Sequence, residues 1–98
     1  MITIGFNPDK EKFIPVDTVV KLSPKLQLRL SKEVKTLVPE YMIAVSADSD
    51  PLKCQKCSFY PLLSKAQSCE DTVVCQASNR RDTLSVVFKY CSESGESL

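Results

Sequence analysis

The chain has 98 residues, with 13 basic and 12 acidic side chains for a net charge of +1, no histidine, two glycines and five cysteines. So small a net charge gives no long-range pull toward nucleic acid or an anionic membrane, and any such attraction must come from a local patch. Without histidine there is no Ser–His, Cys–His or metal–histidine centre, and two glycines leave no glycine-rich phosphate loop.

Length and a hydrophobic content of 43% suit a single small domain over residues 1–91, followed by a polar tail at 92–98 that is expected to fray. A domain of this size buries only about 60–65% of the surface its unfolded chain exposes, so an added staple would help it. No internal repeat is present.

At the start, Ile2, Ile4 and Phe6 alternate with Thr3 and Gly5, which reads as a short strand closed by the turn formers Asn7-Pro8-Asp9. Residues 9–12 are a solvated charged turn. Residues 13–22 favour a strand, with Val16, Thr18, Val20 and Leu22 on one face and Asp17, Val19 and Lys21 on the other. Pro15 sets the beginning of that strand at an edge or a bulge.

The strongest helix pattern follows. Ser23 can cap, Pro24 suits the first helical position, and Pro39 ends the run. At about 100° per residue Leu26, Leu30, Val34 and Leu37 form one stripe. Lys25, Arg29 and Lys32 form the opposite stripe, with Lys35 beside it, and Leu28 borders this basic face with solvent exposure expected.

Residues 41–47 read as a strand with Tyr41, Ile43, Val45 and Ala47 on one side, broken by Asp48-Ser49-Asp50-Pro51. A cysteine-bearing segment comes next. Residues 72–77 and 83–90 then read as two strands of a hairpin around the polar loop 78–82. The expected class is α+β: one amphipathic helix on a mostly antiparallel sheet, with a zinc-knuckle-like excursion before a C-terminal β-hairpin.

Four of the five cysteines lie within residues 50–75. Cys54 and Cys57 form a C-x2-C pair, a spacing that turns two sulfurs toward one ion, and zinc takes four such ligands at about 2.3 Å. Lys53 and Lys56 flank the pair and favour thiolate. A five-residue hairpin loop brings Cys69 directly opposite Cys91, where Cβ atoms of about 4.5–5.5 Å separation suit two ligands of one metal. The expected structural zinc site is therefore Cys54, Cys57, Cys69 and Cys91, with Cys75 as a buried apolar filler. A four-residue loop gives a better binary pattern but puts Cys69 and Cys91 on opposite faces. A second set replaces Cys91 with Cys75 and requires residues 70–74 to curl. Free thiols, a Cys69–Cys91 disulfide and thiol redox chemistry at the C-x2-C are the competing readings. The last lacks the strand-to-helix setting that a thioredoxin-like motif needs.

The first residues show no basic segment leading into an apolar run, and no apolar stretch approaches the ~18 residues that span a bilayer. The expected location is the cytoplasm, where thiols stay reduced.

Carboxylate pairs Asp48/Asp50 and Glu70/Asp71 fall in turns and have no partner motif, so no catalytic residue is assigned. The expected function is a small non-enzymatic binding module that docks on a larger protein as a regulator, adaptor or inhibitor. Its expected contacts are Phe59 and Tyr60 beyond the C-x2-C and Arg80 and Arg81 at the hairpin tip. Nucleic-acid binding through Lys25, Arg29, Lys32 and Lys35 is the alternative, although such a stripe is ordinarily a solvated helix face. A thiol-disulfide oxidoreductase is the third reading.

Overall fold

A computed structural model describes residues 2–5, 14–47, 56–62 and 84–96. They form an α+β domain with one α-helix on a mixed sheet of four strands. Strand β1 is Ile2–Ile4, β2 Val19–Leu22, β3 Tyr41–Ser46 and β4 Val86–Cys91, and they lie side by side in that order. The β1–β2 pair is parallel, and the β2–β3 and β3–β4 pairs are antiparallel. Helix α1, Pro24–Val34, connects β2 to β3, and a 3-10 turn, Tyr60–Leu62, precedes β4.

Helix α1 begins as the sequence predicts. Ser23 is extended (ψ 153°), and its hydroxyl accepts the Leu26 N–H at 3.2 Å, satisfying one of the donors a helix start leaves open. The end comes earlier than Pro39 demands. Lys35 takes a left-handed conformation (φ 59°, ψ 32°), and its N–H bonds the Ser31 carbonyl, closing the last turn. This reversal takes Leu37 off the expected apolar stripe and leaves it 92% exposed, while Val38 turns into the core. The Gln27 side chain fixes the returning chain by donating to the Val38 carbonyl at 2.9 Å. Only Leu26 and Leu30 of the expected stripe are sealed, and Leu28 is 57% exposed.

Strand β2 is shorter than the run at 13–22 predicts. Asp17 has φ 68°, outside the extended region, and its N–H donates to the Ala44 carbonyl at 2.8 Å. The strand thus begins at Val19, although Val16 still packs against the core. Strand β4 begins at Val86 and pairs with β3 from Tyr41↔Cys91 to Ser46↔Val86. Its expected hairpin partner, 72–77, and the loop 78–82 lie outside the described residues.

The two-residue period of a strand divides the sheet into two faces. Ile4, Val20, Leu22, Met42, Ala44 and Phe88 pack with Leu26 and Leu30 of α1 in one core. Val19, Tyr41, Ile43, Val45, Val87 and Cys91 take the opposite face. The chain after β4 turns back across that face. The Ser92 N–H donates to the Glu96 carbonyl at 2.8 Å, the Gly95 N–H to the Ser92 carbonyl at 2.9 Å, and Gly95 lies over Val19 and Ile43. Among the described residues no helix is long and apolar enough to cross a membrane.

Candidate functional site

The short segment at 56–62 is bolted to the side of β4 that faces away from β3. The Phe88 N–H donates to the Cys57 sulfur at 3.3 Å, and the Phe88 carbonyl accepts the Ser58 N–H at 2.7 Å. The Phe88 backbone groups that point away from β3 are therefore satisfied by this segment. The Tyr60 N–H bonds the Cys57 carbonyl at 3.0 Å and starts the 3-10 turn, which packs against α1.

The two aromatic contact candidates have opposite fates. Phe59 is 1% exposed, and its ring meets Phe88 edge-on with centroids 5.4 Å apart. It anchors the turn in the core and is not presented at the surface. Tyr60, the next residue, is 46% exposed. Arg80 and Arg81 lie outside the described residues.

Two of the expected metal ligands, Cys57 and Cys91, lie among the described residues. Cys57 sits against β4 beside the core that α1 covers. Cys91 is on β4 three residues beyond Phe88, in register with Tyr41 on the opposite face, and only 1% exposed. Three extended residues span about 10 Å along β4 between Phe88, which bonds Cys57, and Cys91. Burial also pushes the Cys91 thiol up, favouring the neutral SH form. Cys91 is a free thiol, and no group of three or more metal-ligating side chains occurs among the described residues. Cys54, Cys69 and Cys75 lie outside those residues, as do Asp48, Asp50, Glu70, Asp71 and Lys53. Lys56 is exposed.

Tyr90 lies near the end of β4. Its hydroxyl is buried with no hydrogen-bond partner among the described residues. Burial first, and the nearby Cys57 second, push its ionisation up to about 12. Nothing in the local sequence marks this, because the neighbour is 33 positions away in the chain.

The basic stripe of α1 is real as a surface. Lys25, Lys32 and Lys35 are exposed, with Leu28 among them. Arg29 differs: it is half-buried, and its Nε lies 3.7 Å from Glu33 one turn on. No family model, curated protein or solved structure matches this chain.

Proposed function

We propose that the chain is a small non-enzymatic module that docks on a larger protein as a regulator, adaptor or inhibitor, with Tyr60 as a contact. The observation that carries this is the pairing of Phe59 with Tyr60. One ring is locked in the core against Phe88, and its neighbour projects into solvent from a turn tied to β4 by two hydrogen bonds. An aromatic side chain held on a rigid backbone offers a large contact area at low entropic cost, which is the pattern of interface anchors. A photo-crosslinking residue at position 60 should yield an adduct with a larger protein in the cells that make this chain. The same probe at Glu93, exposed on the turn after β4, is the control. No adduct at 60 beyond that at 93 overturns the reading. An adduct with nucleic acid at Lys32, in place of a protein at 60, moves the function to the basic face of α1.

Structural zinc belongs to the same proposal, with Cys54, Cys57, Cys69 and Cys75 as ligands. Cys75 replaces Cys91 because Cys91 is turned to the far face of the sheet. The N–H donated by Phe88 to the Cys57 sulfur supports this reading, since such a bond orients a metal-ligating side chain. Anaerobically purified protein should carry about one zinc per chain, retained in Cys91→Ala and lost in Cys57→Ser. Loss in Cys91→Ala restores the set containing Cys91. A metal-free chain that reduces insulin disulfides through Cys57 replaces the module with an oxidoreductase.

A further inference from the structure

Resting on the reading that the chain docks on a protein, we infer that the outward face of α1 binds an acidic segment of the partner that brings an apolar side chain onto Leu28. Lys25, Leu28 and Lys32 recur at three and four residues, so they share one stripe of the helix, and Lys35 follows at its C-terminal cap. Leu28 has Lys25 one turn before it and Lys32 one turn after. Among the described residues no carboxylate pairs with these three lysines, whereas Arg29 is engaged by Glu33.

Two features of this face work against the isolated fold. The first turn of α1 holds no acidic residue, and Lys25 puts a cation at the positive end of the helix dipole. Leu28 leaves an apolar side chain more than half exposed, although Leu26 and Leu30 already fill the core beneath the helix. Residues that break a local rule with no return in packing are expected where a surface serves binding.

The chemistry of the stripe selects the occupant. A phosphate backbone rewards cations and gains nothing from an aliphatic side chain among them. A segment with carboxylates around a leucine or phenylalanine satisfies both parts: the lysines meet the acids, and Leu28 buries apolar area. The ligand is thus an acidic amphipathic helix or peptide.

The probe is a synthetic helical peptide with leucines along one face rimmed by glutamates. Its controls are the same peptide with serine for leucine and a single-stranded DNA oligonucleotide. Amide shifts in isotope-labelled protein report where each binds, and anisotropy reports the affinity. The leucine peptide should shift the amides of residues 24–35 and weaken as salt rises. Serine in the peptide, or Leu28→Ser in the protein, should weaken binding about tenfold. Lys25→Glu with Lys32→Glu should abolish it. Shifts that avoid α1, or binding indifferent to Leu28→Ser, overturn the inference. So does an oligonucleotide that binds more tightly than the peptide and ignores Leu28→Ser, since the face then reads nucleic acid. A retained protein adduct at position 60 beside a failed peptide test sinks this inference alone. Peptide binding without that adduct sinks the role of Tyr60.

Discussion

On the side of the sheet that α1 covers, Ile4, Val20, Leu22, Met42, Ala44 and Phe88 are completely buried or nearly so. Across the sheet, Val19, Tyr41 and Ile43 are half-buried and Val45 is 37% exposed, although Val87 and Cys91 are sealed. The strands themselves do not announce this difference. Strand β3 reads YMIAVS and β4 reads VVFKYC, apolar on both faces over most of their length. What differs is the cover. A three-turn amphipathic helix seals its side, whereas the described residues offer the other side only the turn at 92–96, which reaches Val19 and Ile43 through Gly95. Strand composition thus reports that a sheet has two apolar faces, and the connecting elements decide which becomes the main core.

The widest gap between the two sides should appear on truncation. Phe88→Ala removes a fully buried ring and its edge-on contact with Phe59, and should cost about 3–5 kcal/mol. A domain whose whole stability is on the order of 5–15 kcal/mol loses a large part of it. Val45→Ala on the opposite face should cost less than about 1 kcal/mol, because its side chain already meets water. Urea midpoints at an unchanged slope measure both. Equal losses would mean that the two faces are equally packed, and the comparison would fail.

A smaller effect tests the cover on the second side. Gly95 has φ 92°, where a side chain is strained, and an added Cβ would lie 3.1 Å from Val19 Cγ2. Gly95→Ala should therefore cost roughly 1–3 kcal/mol. The loss should be local. Amide exchange should quicken at Gly95 and Glu96, whose N–H groups bond within the turn, while amides in α1 keep their relative protection. Uniform acceleration over the whole chain would show that the turn is part of the main core.

Much of the covered side was legible in the sequence. Ser23 and Pro24 mark the start of α1 by local chemistry, and Leu26 with Leu30 mark its inner face by periodicity alone. Leu37 departs from the periodic stripe because periodicity carries no notice of the left-handed Lys35, a residue type with no intrinsic preference for that conformation. Asp17 is the same kind of departure in β2. The candidate site was less legible. Phe59 and Tyr60 are equivalent as letters, and only the edge-on contact with Phe88, 29 positions away, tells them apart. The same holds for Cys57 and Cys91: the C-x2-C spacing says nothing of the contact between Cys57 and Phe88, 31 positions away, and Cys91 lies on the sheet face opposite Phe88.

The smallest expected effect concerns the junction that lets α1 reach its side of the sheet. Ser23 follows β2, its N–H donates to the Ile4 carbonyl of β1 at 2.7 Å, and its hydroxyl caps α1. Gly5 follows β1 directly, and a Cβ there would meet Ser23 Oγ at 2.7 Å and Ser23 Cβ at 3.2 Å. The Ser23 backbone cannot retreat without giving up its bond to Ile4, so the hydroxyl must swing off the Leu26 N–H. Gly5→Ala should thus cost about as much as losing a serine cap, on the order of 1 kcal/mol. Ser23→Gly should cost only a few tenths, because glycine is tolerated at the cap and removes both crowded atoms. Placing Gly5→Ala in the Ser23→Gly background should then be nearly free, a coupling of about 0.5 kcal/mol or more between residues in contact. Additive losses in that cycle would mean that something other than the capping hydroxyl requires glycine at position 5. The seal of the helix side would then not depend on how closely β1 approaches the start of α1.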